Sequence, residues 1–414
     1  MKVAIVTKTF PPFSYGGTET YSEQLATELS KQQGVEVHVI CFQSAPVPVK
    51  EEEVARYRES HPFTMHIAGV HSKEKRAIPD ARRMMATRKR IDGLIREIRP
   101  DIIQTIGVYS EALMGVWSGN ALGVPTVVFP RGSDVQGPSG SKISHFMVKT
   151  AIQQTTLVMC QTQWMRERLV AWKYLSPSEV DTRSIVVYNA ISLSEESDRS
   201  FHHSASERQI NINQIEPPTI LWIGRFEAVK QPATAVDYFR RILPQLPKGS
   251  KLLMIGKGSQ LDAVREQVGE EPSIELTGRL KPEEIADHLR KASLLINTSS
   301  SEGFPQTFLE AMVHGVPIVC FNVAANAEIV EQGVNGYVVD PGDGKAFGTA
   351  IERILTDRGE RERMKSANLE TVKCYSWDTI LPKILDAYQT LISAERMKPE
   401  KKGWFSNTPP RTRK

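Results

Sequence analysis

No stretch of the 414 residues approaches the roughly 20 consecutive apolar positions that a membrane-spanning helix requires. The opening Met1-Lys2-Val3-Ala4-Ile5-Val6-Thr7-Lys8 sets a lysine on each side of a short apolar run, too short for a signal-peptide core; it reads as a first buried strand. Cysteine is scarce: Cys41, Cys160, Cys320 and Cys374 are the four in the chain, with no C-x-x-C spacing. That argues against a disulfide framework or thiolate metal site, and for a reduced cytoplasmic setting in which each thiol is a small buried hydrophobe. Neither charge sign is in excess. Lys and Arg number 52 and Asp and Glu 48, and the resulting +4 does not support nucleic-acid binding as the main activity. A G-x-G-x-x-G fingerprint is missing, which weakens a dinucleotide oxidoreductase. No Asp-x-Asp pair offers a metal site, since Asp340-Pro341-Gly342-Asp343 is spaced too widely and reads as a turn. No metal or other cofactor is expected.

What the chain does contain is an ordinary globular composition, 40% hydrophobic and 24% charged. Its length suits two α/β domains of about 200 residues. Two segments are strongly basic: residues 73–99 hold ten Lys/Arg against four Asp/Glu, and residues 396–414 seven against one. In the first, Met84, Met85, Ile91, Leu94, Ile95 and Ile98 recur at helical spacing, so a core-packing helix with a solvated basic face accounts for it. Peripheral contact with the inner face of a membrane is the runner-up. The tail shows no periodicity and is expected to be flexible.

Short apolar runs alternate with helical stretches twice over. In the first half they lie at 3–6, 35–41, 101–106, 126–129, 157–160 and 185–188. The second half restarts at Thr219 and repeats the pattern at 251–255, 274–276, 294–297, 317–321 and 337–339. This is the signature of parallel sheets. The expected division is a Rossmann-like domain over 1–191, a polar linker over 192–218, a second Rossmann-like domain over 219–375, a closing helix over 376–395 and the basic tail. The closing helix carries one apolar stripe, Ile380, Leu381, Ile384, Leu385, Tyr388, Leu391 and Ile392.

Candidate chemistry concentrates at strand-to-helix turns, where parallel sheets hold ligands. The first strand runs into Gly16-Gly17 before a helix faced by Tyr21, Leu25 and Leu29; paired glycines there let backbone N–H groups approach an anion, with a plain flexible turn as the equal alternative. Past the first strand of the second half stand Arg225 and Lys230, two cations suited to a diphosphate leaving group, with an Arg225–Glu227 surface pair as the bland alternative. The most specific segment is Ser299-Ser300-Ser301-Glu302-Gly303-Phe304-Pro305-Gln306-Thr307-Phe308-Leu309-Glu310-Ala311-Met312, which follows a strand and opens a helix. Pro305 suits the first turn of a helix whose free N–H groups point at phosphate. Glu302 precedes that helix and Glu310 lies within it, so one carboxylate can meet sugar hydroxyls and the other ribose hydroxyls.

On these motifs the chain resembles the retaining family-4 glycosyltransferases of the GT-B fold (glycosyl transferase group 1) over nearly its full length. Gly16, Gly17 and Glu19 match the family's glycine loop, Arg225 and Lys230 its phosphate-binding pair, and Glu302 and Glu310 its two glutamates seven residues apart. Glu328 matches a further acidic helix start. Gly256-Lys257-Gly258 and Gly278-Arg279-Leu280 look like the loops around base and ribose, and Asn189 like the asparagine ahead of the linker. The resemblance implies an α/β fold of two parallel-sheet domains facing across a cleft, acceptor side first, with the last helix crossing back to the first domain. It further implies metal-independent transfer of a sugar from a nucleotide-sugar to an acceptor. UDP is weakly preferred over GDP, and the basic segment from Lys73 to Arg99 motivates a glycan or lipid-linked acceptor, as in polysaccharide biosynthesis. Arg225, Lys230 and Glu302 would be catalytic. Gly16, Gly17, Gly256, Gly258, Arg279, Gly303, Phe304, Pro305, Gln306, Thr307 and Glu310 would bind the donor. Three places depart from the pattern. Arg131 stands where His is common and would bind an anionic group on donor or acceptor, Gln231 follows Lys230 where Gly is usual, and Asn322-Val323-Ala324-Ala325 replaces a glycine-rich loop. A sugar-nucleotide epimerase and a non-catalytic nucleotide-sugar-binding module are the rival readings. Products formed without acceptor would mark the first, and binding without turnover the second.

Overall fold

The structure, a computed structural model, describes residues 1–42, 49–69, 81–132, 142–193 and 217–397, with backbone only at 81–83. Residues 73–80 of the basic segment, most of the linker, and the tail beyond 397 lie outside them.

Among the described residues thirteen strands form two sheets. The first orders β3-β2-β1-β4-β5-β6-β7, from β1 (Lys2–Thr7), β2 (Glu36–Cys41), β3 (Thr64–Ile67), β4 (Ile102–Ile106), β5 (Thr126–Phe129), β6 (Leu157–Cys160) and β7 (Ser184–Val186). The second orders β10-β9-β8-β11-β12-β13, from β8 (Thr219–Ile223), β9 (Lys251–Ile255), β10 (Ile274–Gly278), β11 (Leu294–Asn297), β12 (Ile318–Phe321) and β13 (Gly336–Val339). Every pairing is parallel, for example Val3↔Val37 and Val3↔Ile102. Both faces of each sheet are covered, which is why the central strands read as continuous apolar runs. Val3 and Ile5 join one core cluster while Ala4 and Val6 point into another across the sheet. In the second sheet Ile220 and Trp222 face one cluster and Leu221 the other.

In both sheets the strand order reverses beside the first strand, between β1 and β4 and between β8 and β11. Loops leaving those carboxyl ends diverge and open a crevice there.

The closing helix Trp377–Arg396 begins at Ser376, whose hydroxyl accepts from the Thr379 N–H at 3.2 Å. It packs in the first domain's core: Trp377, Ile380, Leu381, Ile384 and Tyr388 are buried with Val3, Ile5 and Tyr21, and the Trp377 ring stacks on Tyr21 at 5.7 Å. Burying five such side chains contributes on the order of 10 kcal/mol before ordering entropy, so the helix is an integral part of that domain.

Three expectations need correction. β3 was not anticipated: its four residues Thr-Met-His-Ile make no apolar run, because an edge strand buries little, here chiefly Met65. In the helix Ala81–Ile98, Ile91, Ile95 and Ile98 are buried as expected but Met85 is 73% exposed. Of the cysteines Cys41, Cys160 and Cys320 are buried whereas Cys374, in a turn before the closing helix, is exposed.

Candidate active site in the interdomain cleft

The loops leaving β8 and β11 are tied together before they present any functional group. Buried Thr298, just past β11, accepts from the Trp222 indole N–H at 3.1 Å and donates to the carbonyls of Lys230 and Gln231 at 3.1 and 2.9 Å. The Ser300 N–H donates to the Val229 carbonyl at 2.8 Å. These bonds hold the turn at Lys230 although Gln231 adopts φ 47°, a left-handed conformation that costs a side-chain-bearing residue roughly 1 kcal/mol or more. Ala324, in the segment that replaces a glycine-rich loop, has φ 48°. At these two departures from the family pattern the chain therefore keeps a backbone that glycine adopts freely.

Lys230 and Glu302 meet directly. Oε1 of Glu302, buried at 6% exposure, accepts from the Lys230 ammonium at 2.5 Å, the Ser299 hydroxyl at 2.6 Å and the Asn297 amide at 3.1 Å. Among the described residues no hydrogen bond reaches its second oxygen. Arg225 is exposed, and among the described residues no hydrogen bond reaches its guanidinium. The alternative surface pair with Glu227 makes no side-chain hydrogen bond, because the Glu227 carboxylate is taken by the Ser259 hydroxyl at 2.6 Å and backbone N–H at 3.1 Å. Those bonds, with the Arg225 charge as a smaller cause, hold its carboxyl below the usual range.

Pro305 caps the helix Gln306–Val313, one position earlier than the first helical turn, and Thr307 lies in that turn. Glu310 sits on this helix partly buried, its carboxylate accepting from no described residue, and burial pushes that carboxyl up to about 7. A perturbed carboxylate with its acceptor sites free is suited to a ligand that supplies donors.

Gly256 and Gly258 pack the β9 exit against the β8 exit. A Cβ on Gly256, whose φ is 144°, would lie 1.8 Å from the Gly224 carbonyl oxygen, and one on Gly258 2.4 Å from that of Phe226. Arg279 reaches across the cleft, its guanidinium 5.8 Å from the Tyr15 ring centroid in the Gly16-Gly17 loop. That loop is braced by Glu19, which accepts from Thr9 at 2.6 Å and Ser14 at 3.2 Å.

Four further contacts join the domains. Gly132 and Gly303 meet backbone to backbone, and a Cβ on Gly303 would lie 2.4 Å from the Gly132 Cα. Asn189 donates to Gln306 at 3.3 Å, and Gln306 donates back to the Ala190 carbonyl at 3.2 Å. Phe304 packs between Tyr188 and Tyr375, with centroids at 6.1 and 5.8 Å. The fourth contact is Glu328, whose carboxylate accepts the Gln163 and Trp164 backbone N–H groups at 2.8 and 2.6 Å.

Arg131, expected to hold an anion, lies over the rings of Tyr21 at 4.4 Å and Phe129 at 5.4 Å and donates to Asn189 at 2.9 Å. Its guanidinium thus orients Asn189. Asp340-Pro341-Gly342-Asp343 is a turn whose Asp343 caps the next helix through the Ala346 N–H at 2.8 Å. The sequence motifs include Ser299 and Tyr15 but assign no role to them, nor to Asn297 and Thr298 at the end of β11. Small polar residues around a charged motif were the available signal, and without the strand exits their partners were undefined.

Residues 217–357 match the model of the glycosyl transferases group 1, and residues 15–195 that of glycosyltransferase family 4. An uncharacterized glycosyltransferase of Methanocaldococcus jannaschii is 23% identical over 394 residues, 94% of this chain and 99% of the relative. The phosphatidyl-myo-inositol mannosyltransferase of Mycobacterium leprae is 25% identical over 180 residues, 42% of this chain and 47% of the relative. The crystal structure of Anabaena HepE in complex with UDP superposes with a TM-score of 0.73 at 16% identity, over 94% of this chain and 100% of that one. Two parallel-sheet domains with the site between them define a GT-B architecture. The chain belongs to the group 1, family 4 glycosyltransferases and is a glycosyltransferase.

Proposed function

We propose that the chain moves a hexose from a nucleoside-diphosphate sugar to a glycan or lipid-linked acceptor, with retained anomeric configuration and no metal ion. The observation that carries this reading is the set of groups that follow β8 and β11: exposed Arg225, Lys230 paired to Glu302, and on the helix Gln306–Val313 the Glu310 carboxyl, raised by burial and accepting from no described residue.

Lys230 has three N–H donors and uses one on Glu302, so the others can bind diphosphate oxygens without breaking the pair. Arg225 can bind further oxygens in a fork. As the bond between the anomeric carbon and the diphosphate oxygen breaks, negative charge grows on that oxygen, and these cations with the start of the helix Gln306–Val313 stabilise it. The acceptor hydroxyl attacks the anomeric carbon from the same face and its proton passes to the departing phosphate oxygen. Glu302, anchored through Oε1, has its second oxygen for a sugar hydroxyl. Glu310 is suited to the two ribose hydroxyls. The basic face of the helix Ala81–Ile98 fits an acceptor presented at an anionic membrane.

A UDP donor is preferred because the HepE structures hold UDP and, in another crystal, UDP-glucose. The lipid-linked option rests on the phosphatidyl-myo-inositol mannosyltransferase. The test is a panel of UDP- and GDP-sugars in thermal unfolding, where a ligand at 100 times its dissociation constant stabilises by about 2.7 kcal/mol. The protecting donor is then offered to glycan and lipid acceptors, and the anomeric proton of the product is read by NMR. Protection by no nucleotide-sugar, or an inverted product, overturns the reading.

A further inference from the structure

Glu328 is the acidic residue that the motif comparison singled out and the donor-site chemistry leaves unused. It lies in the second domain, yet its carboxylate grips the first turn of the helix Gln163–Ala171 in the first, across 165 residues of sequence. The first backbone N–H groups of a helix have no intrahelical acceptor. In this helix they are divided between the domains: Met165 N–H goes to the hydroxyl of Thr162 at 3.1 Å, within its own domain, while Gln163 and Trp164 go to the two oxygens of Glu328. A carboxylate at a helix N-terminus gains from the aligned peptide dipoles and from charge-assisted bonds. If the domains separate, both partners return to water without leaving a buried group unpaired, so the contact is reversible.

The helix held in this way bears on the donor site. The Met165 methyl would lie 3.3 Å from a Cβ on Gly303, the residue between Glu302 and the helix Gln306–Val313, where Gly132 also makes its backbone contact. We propose that Glu328 is a positioning residue that latches the two domains closed: by capping the helix Gln163–Ala171 it sets Met165 and Gly132 against Gly303 and fixes the turn that aims Glu302 at the sugar. The role in transfer rests on the donor-site reading above; the latch itself does not.

The test uses the full chain and two variants, Glu328→Gln, which keeps the shape and loses the charge, and Glu328→Asp, which keeps the charge and loses reach. Amide hydrogen exchange is read at Gln163, Trp164 and Met165 without ligand. Exchange at Gln163 and Trp164 should accelerate about tenfold or more in Glu328→Gln, while Met165, capped within its domain, should not change. With donor and acceptor present, kcat should fall roughly ten- to a hundredfold with donor affinity within about threefold, and more donor should be lost to water per transfer. Glu328→Asp should fall between wild type and Glu328→Gln. Unchanged exchange at Gln163 and Trp164, or faster exchange with unchanged transfer, overturns the proposal. Should the donor-site reading fail instead, Lys230, Glu302 and Glu310 variants would transfer normally while the exchange effect of Glu328→Gln persisted.

Discussion

The ammonium of Lys230 lies 2.5 Å from Oε1 of Glu302, and the two residues reach the cleft from different strand exits 72 positions apart. The pair makes each residue's effect depend on the other. Glu302 is buried, so removing Lys230 leaves a carboxylate held only by Asn297 and Ser299. Lys230→Ala should therefore lower kcat by a factor equivalent to about 2–4 kcal/mol of barrier and also destabilise the fold by about 1–3 kcal/mol. In Lys230→Ala with Glu302→Gln the stability loss should be smaller than the sum of the singles. Denaturant titrations of the four proteins check this, and additive losses would show that the pair is not coupled.

Glu310 should give the protein a pH signature. Its carboxyl is raised from 4.5 to about 7 by burial, so between those values the folded state holds a proton that the unfolded state has released. Stability contributed by that proton is present below 4.5 and is lost as pH rises towards 7, by up to about 3 kcal/mol. Wild type should thus gain stability on acidification across this window relative to Glu310→Gln. Binding runs the other way. Ribose hydroxyls need the ionised carboxylate, so nucleotide affinity should rise with pH up to about 7 in wild type and stay flat in Glu310→Gln. Calorimetry at several pH values reads both, and parallel profiles for the two proteins would remove the role assigned to Glu310.

Gly132→Ala should separate donor binding from transfer. The new methyl would lie 2.7 Å from the Gly303 Cα, backbone against backbone, and Gly132 has φ 79° besides. Because the clash is between domains, an open form escapes it. Nucleotide affinity should change by less than about threefold while kcat drops more than about tenfold. Steady-state kinetics alongside nucleotide titration measure the split.

Gln231→Gly and Ala324→Gly should each hold or raise stability, by up to about 1 kcal/mol, because the left-handed backbone at φ 47° and 48° no longer strains a side chain. Glycine at an ordinary helical site costs about that much instead. A loss greater than about 0.5 kcal/mol in chemical denaturation would mean that the side chains contribute more than their strain.

Transfer should survive chelation, since Arg225, Lys230 and the start of the helix Gln306–Val313 supply positive potential where a cation would otherwise act. Complete loss of activity with EDTA, restored by Mg2+ or Mn2+, would overturn the metal-independent mechanism.

The sheets were legible because doubly covered parallel strands must be apolar on both faces. Eleven expected strands overlap β1, β2 and β4 to β12, and 337–339 overlaps β13. The signal failed at β3, which ends its sheet among the described residues and buries few side chains, and at Met85, where helical spacing said apolar but the side chain is exposed. The motif residues were legible for a related reason. Glycines, a fork-shaped cation and spaced glutamates at strand exits are restricted by the chemistry they do, so their types and spacings survive in the one-dimensional string.

The sequence by itself determined the two-sheet architecture, the family and the short segments that carry the donor chemistry, because each is written in local periodicity or within a few residues. The tertiary structure alone decided which groups meet. It turned Arg131 onto Tyr21 and Asn189, paired Lys230 with Glu302, raised the carboxyl of Glu310 by burial, and placed Glu328 on a helix 165 residues away. Such contacts depend on how two independently patterned domains dock, and side chains so far apart in sequence leave no period or spacing from which their meeting can be read.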